Sequence, residues 1–136
     1  MTVYPSAEVE PYYTATLPRV PESARRARSL VTAALGRWGL EEFEDAACLV
    51  TTELVANAAA HARSDSLLVR VERIGPRAVR VAVVDRSKVL PCPRDAGPDE
   101  ESGRGLWLVD ALSGGRWGAD PLKWGKRVWA VLGGAA

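Results

Sequence analysis

The sequence is poor in the residues that build metal clusters and disulfide frameworks, with a single histidine and two cysteines in 136 residues. Cys48 lies in an apolar helix-like run and Cys92 between two prolines, a placement that matches neither zinc-ligand nor thioredoxin-type spacing. Two free thiols in a reducing compartment are the expectation. An excess of one charge is also lacking. Lys and Arg number 18 against 17 for Asp and Glu, and the net charge of +1 gives no global field favouring nucleic acid or an anionic membrane, so neither is expected as a partner. No stretch approaches the roughly 18 apolar residues of a membrane span. The opening MTVYPSAEVEPYY puts acids and prolines where a signal peptide needs a basic start and an apolar core. A cytoplasmic protein is expected.

What is present suits one domain. Residues 1–11 show no periodicity and read as a flexible arm, leaving 12–136 as a single domain. The aromatic and β-branched run 12–17, stopped by Pro18, predicts a first strand at a sheet edge. Over 24–38 the apolar positions Ala27, Leu30, Val31, Ala34, Leu35 and Trp38 recur at helical steps, and Gly36 and Gly39 frame the helix end. A longer helix is predicted over 41–62, with Phe43, Ala47, Val50, Leu54 and Ala58 as its stripe and four acids in its first turn, where the dipole favours them.

Segments 66–74 and 78–85, around the turn Gly75-Pro76-Arg77, predict an antiparallel hairpin with Val69, Val71, Val79, Val81 and Val83 on its buried face. Residues 86–102 form a proline-bearing loop long enough to be a lid. A short buried helix over 106–112, closed by Ser113-Gly114-Gly115, and a last strand over 126–132 follow. The order β-α-α-β-β-loop-α-β predicts an α+β two-layer sandwich, with helices on one face of a mixed, mainly antiparallel sheet. The five tryptophans are expected mostly in the core, with Trp124 in a turn as a candidate exposed contact.

The chemistry concentrates on the second helix. Glu53, Asn57 and His61 stand four residues apart, one above another on one side, with about 6 Å of axial rise between neighbours. A carboxylate can orient or deprotonate an attacking hydroxyl, and a carboxamide oxygen suits Mg²⁺, a hard ion that bridges phosphates. Alanines at 56, 58, 59 and 60 clear space around Asn57. His61 reads as a helix-end hydrogen-bonder rather than a catalyst. Asp85 closes a strand, either to accept a hydrogen bond from the exocyclic amine of adenine or to form a turn. Gly103-Arg104-Gly105, after Ser102, offers small residues and exposed amides at a helix start, where phosphate is attracted. Arg104 either covers a phosphate or faces solvent.

Taken in order, Glu53-x3-Asn57-x3-His61, Val84-Asp85, Gly103-Arg104-Gly105-Leu106, Trp117-Gly118 and Gly125-Lys126-x-Val128-Trp129 resemble the motif series of the GHKL ATPase and kinase superfamily. The resemblance covers 12–132 and points to the branch of RsbW-like anti-sigma regulatory factors, in its actinomycete form. It implies the histidine kinase-like ATPase fold, with ATP and Mg²⁺ as cofactors. By position, Asn57 resembles the Mg²⁺ ligand, Glu53 the catalytic base or water-orienting carboxylate, and Asp85 the adenine reader. Ser87 matches the branch, Gly103, Arg104, Gly105 and Leu106 resemble the phosphate-binding turn, and Lys126 lies at the last nucleotide-proximal motif.

The function implied is a serine/threonine protein kinase acting on an anti-sigma-factor antagonist, with a sigma factor as second partner and a homodimer as a further expectation. The alternative is a regulatory module that sequesters its partner without phosphorylating it. One departure favours the alternative: Asp85-Arg86-Ser87-Lys88-Val89 stands where the superfamily commonly has Asp-x-Gly-x-Gly.

Overall fold

The computed structural model describes residues 11–61, 65–86 and 101–134, without the side chains of 61 and 101–104. Within these, the elements run β1 (Tyr12–Pro18), α1 (Ser23–Trp38), a 3₁₀ turn (Glu41–Phe43), α2 (Glu44–His61), β2 (Ser66–Gly75), β3 (Ala78–Asp85), α3 (Glu101–Ser113), β4 (Trp117–Pro121) and β5 (Lys126–Gly133). Most of the expected N-terminal arm, residues 87–100 of the expected lid, and Cys92 lie outside the described residues.

The five strands form one sheet in the order β1-β2-β3-β5-β4. All four pairings among the described residues are antiparallel, in keeping with the mainly antiparallel sheet expected. β4 is the element the sequence reading lacks. Trp117-Gly118-Ala119-Asp120-Pro121 has little strand propensity of its own, and its extended form is held by partners. It pairs along β5, Trp117 Nε1 donates to Asp110 Oδ1 at 2.9 Å, and Asp120 takes Arg127 Nη2 at 2.7 Å. Position 118 requires glycine because a Cβ there would press into the Trp129 ring.

The core lies between the sheet and the helices. Val69, Val71, Val79, Val81 and Val83 are buried as expected, and Ala27, Val31, Ala34, Leu35 and Trp38 of α1 meet them with Ala47, Val50, Leu54 and Ala58 of α2. α1 ends where Gly39 turns left-handed at φ 69°, allowing Leu40 N–H to reach back to the Leu35 carbonyl. The second helix opens with the 3₁₀ turn rather than a continuous α-helix, a common tightening at helix starts. Trp107 departs from the core expectation, while Trp124 is exposed as its place in a turn suggested. Trp107 is 58% exposed and Trp124 54%, whereas Trp38 is buried and Trp117 and Trp129 are half-buried.

Two contacts set the direction of α2 over the sheet. Glu42, just ahead of it, pairs with Arg77 in the β2–β3 turn. Near its end the Ala59 carbonyl accepts from Arg19 Nη1 at 2.9 Å, just beyond Pro18, which pairs with Ser66 at the start of β2. Since Leu68 pairs with Val84, the C-terminal half of α2 and the last residue of β3 share one end of the sandwich. Among the described residues no helix is long and apolar enough to cross a membrane.

Candidate functional site

A buried polar side chain costs on the order of 1–3 kcal/mol unless it is paired, so each one needs a reason. Among the described residues the buried polar and charged side chains are Ser23, Thr51, Asn57, Asp85, Ser113 and Lys126. Three are explained locally: Ser23 donates to the Pro18 carbonyl at 2.6 Å, Thr51 to the Ala47 carbonyl at 2.7 Å, and Ser113 to the Asp110 carbonyl at 3.4 Å. The other three, Asn57, Asp85 and Lys126, all carry site roles in the sequence reading.

Asn57 owes its burial to the position of α2, which packs between α1 and α3 with the sheet behind it. On that helix Glu53 is half-buried, and position 61 is the last helical residue. The structure brings Glu53 directly against α3. Gly105 lies so close that a Cβ there would overlap the Glu53 carboxylate. The glycine is thus a spacer for the acid.

Here the expectation of a glycine turn preceding a helix at 106 is corrected, because α3 already begins at Glu101. Gly103 falls in its first turn, whose opening amides have no intrahelical partner, while Gly105 and Leu106 are buried deeper in the helix. Two glycines cost a helix only about 1 kcal/mol each, and an acid at the N-terminus offsets part of that through the dipole. Ser87 lies outside the described residues.

At the same end of the fold, Asp85 and Lys126 are register partners in β3 and β5. Both strands alternate, placing Asp85 on the inward face with Val83 and Val81, and Lys126 with Val128 and Ala130. The Lys126 ammonium sits 3.2 Å from Asp85 Oδ1, and both side chains are at most 1% exposed. Gly125 makes this approach feasible: a Cβ there would collide with the Asp85 carbonyl and the Arg86 backbone. Outside the pair, the Arg86 guanidinium lies 5.8 Å from the Trp124 ring centroid, within cation–π range. Trp124 belongs to the tight turn in which Leu122 and Gly125 exchange backbone hydrogen bonds.

An acid and a buried carboxamide on one helix, a glycine-bearing helix start against that acid, and a carboxylate at the end of an adjoining strand make up this end of the sandwich. The sequence model of the histidine kinase-like ATPase domain matches residues 17–114, which span all of these but stop short of β4 and β5. The chain belongs to this family.

Two solved structures show how far the likeness of this ATPase domain extends. The crystal structure of the RsbU and RsbW domains of Rv1364c from Mycobacterium tuberculosis superposes with a TM-score of 0.64 at 20% identity, covering 90% of this chain and 32% of that one. The histidine kinase domain of the blue-light activated histidine kinase of Erythrobacter litoralis EL346 gives 0.52 at 23% identity, covering 85% of this chain and 60% of that one. Both likenesses are in fold, and the chain spans only about a third of the first protein and 60% of the second. No curated protein matches the chain in sequence.

The residues of the domain suit a nucleotide and its metal ion. The Asn57 carboxamide would supply the neutral hard oxygen that Mg²⁺ accepts, and the first-turn amides of α3 would face phosphate. Among the described residues no group of three or more His, Cys, Asp or Glu is placed to cage a metal. A Mg²⁺ ion here would be held by Asn57 and the nucleotide's own phosphates. The sequence reading missed the Asp85–Lys126 pair. Strand parity carried part of the signal, since alternation through Val128, Ala130 and Leu132 puts Lys126 on the buried face, where lysine is rare unless paired.

Proposed function

We propose that this histidine kinase-like ATPase domain binds ATP with Mg²⁺ and acts as an RsbW-like anti-sigma regulatory factor, phosphorylating a serine or threonine of an anti-sigma-factor antagonist in the cytoplasm. The observation that carries this reading is the packing of Glu53 against Gly105, which sets a carboxylate beside the helix start suited to phosphate, one turn from the buried Asn57. The ordered motif series and the fold shared with the RsbW-containing structure support it.

In this reading Glu53 orients the attacking hydroxyl and accepts its proton, and Asn57 holds Mg²⁺. Mg²⁺, when bound, supplies charge neutralisation between the phosphate oxygens. The opening amides of α3, Gly103 among them, bind phosphate, and Asp85 accepts from the base.

The test is incubation of the full chain with its cognate antagonist, labelled ATP and Mg²⁺. Labelled phosphoserine or phosphothreonine on the antagonist is expected, with Glu53→Gln abolishing transfer while keeping ATP affinity. Intact antagonist binding without phosphorylation would overturn the kinase reading. It would favour the second one, a module that sequesters its partner, which the absence of glycines after Asp85 supports.

A further inference from the structure

On their solvent side α1 and α2 leave a groove of about 580 Å³, lined by Arg28, Asp45, Cys48, Leu49 and Thr52. The two helices pass each other antiparallel. Arg28 Nη1 donates to Thr52 Oγ1 at 3.0 Å, and one turn further along α1, Thr32 Oγ1 meets Cys48 Sγ at 3.5 Å.

For a surface meeting water, the groove is apolar at its middle. Between Ala46 and Ala60 the sequence has one charged residue, Glu53, whereas the outer side of a surface helix is ordinarily charged. Leu49 stands in the groove 47% exposed. The charges that flank it are also left without opposite partners. None of the ion pairs among the described residues includes Arg25, Arg28, Glu41 or Asp45. Arg25 and Arg26 even occupy a first turn of α1 that holds no acid, where the helix dipole disfavours cations.

These charges are sorted by sign about Leu49. Asp45 and Glu41 lie four and eight residues before it, roughly 6 and 12 Å along the axis. Arg28 sits level with Thr52, three residues after it, and the same antiparallel register sets Arg25 level with Val55, about 9 Å beyond Leu49. Acids on one side and arginines on the other, at similar distances, make a surface that complements itself under a two-fold rotation.

We propose that this groove is the contact between two copies of the chain, related by a two-fold axis at Leu49. Each Leu49 meets its counterpart at the axis, each Asp45 faces Arg28 of the partner subunit, and each Glu41 faces Arg25 of the partner subunit. The helices α1 and α2 of both copies then form one four-helix layer, apolar at its centre and charged at its rim. No nucleotide takes part, so the inference stands apart from the function proposed above.

The test is sedimentation equilibrium of the full chain across the micromolar range. A concentration-dependent equilibrium between monomer and dimer is expected. Leu49→Asp, which sets like charges against each other at the axis, should weaken it at least about tenfold. Arg28→Asp and Asp45→Arg should each weaken association, and the double variant should restore it, because the swap rebuilds both pairs between copies. In a Cys92→Ser background, a short bismaleimide should link two copies through Cys48, the neighbour of Leu49.

A monomer at every concentration overturns the inference. So does a dimer that is indifferent to Leu49→Asp and fails to link through Cys48. A monomeric chain whose binding to the antagonist falls with Leu49→Asp assigns the groove to that partner, which also overturns it. Circular dichroism identifies any variant that fails to fold, in which case the wild-type mass and the Cys48 linkage decide.

Discussion

Gly105 of α3 touches the Glu53 carboxylate of α2 with no room for a methyl group between them. Two segments about fifty residues apart in sequence are thereby held as one surface, the glycine serving to let an acid lie flat against a helix start.

Gly105→Ala follows directly from this contact. The new methyl meets the far end of a flexible side chain, so the fold should persist with a melting temperature lowered by only a few degrees, while the Glu53 carboxylate is displaced. A misplacement of about 1 Å can cost on the order of 100-fold in rate. Phosphotransfer to the antagonist should drop at least tenfold, with ATP affinity changed far less. Parallel loss of both would mean that Glu53 serves binding instead.

Asn57→Ala separates metal binding from nucleotide binding. ATP affinity of the wild type should rise on adding Mg²⁺ and fall with EDTA. In the variant most of that metal-dependent increment should vanish, since even outer-shell changes cost about 10–100-fold in metal affinity. An unchanged Mg²⁺ dependence would remove Asn57 from the metal site.

Lys126→Met strips one partner from a buried ion pair, a change that costs about 3–5 kcal/mol. Urea unfolding should show that loss. Replacing both partners, Asp85→Leu with Lys126→Met, should recover most of it, because two apolar side chains fill the same space without a stranded charge. Equal destabilisation of single and double variants would show that the pair is not the source.

Glu72 provides a pH signature on the sheet face away from the helices. Burial pushes its carboxyl up, but Arg80, with Nη2 at 2.6 Å, and Arg70 at 3.4 Å outweigh it, so the group lies below its ordinary value of 4.5. A carboxyl lowered on folding contributes stability above its unfolded value and loses it as pH falls through the folded one. Glu72→Gln should therefore be less stable than the wild type at neutral pH, by about 1 kcal/mol for a partly exposed pair. The gap should close in acid, and thermal melts at descending pH would reveal a constant gap if the charge plays no part.

What the sequence by itself determined about this protein is whatever periodicity and local chemistry encode. Helical spacing through Ala27, Val31 and Leu35 and alternation through Val79, Val81 and Val83 are properties of single segments, so both helices, the central hairpin and the stacking of Glu53 above Asn57 were legible in advance. The ordered motifs led to a nucleotide-binding fold of the family the chain matches. Tertiary structure alone decided the rest, because each remaining feature depends on one segment meeting another. β4 is a strand only because β5, Asp110 and Arg127 hold a stretch with weak strand propensity. The glycine at 105 looked like part of a turn until α3 lay against Glu53. Asp85 and Lys126, 41 residues apart, became one buried ion pair only when β5 inserted beside β3. No local pattern encodes such a pairing, since register between strands is set by the packing of the whole sheet against its helices.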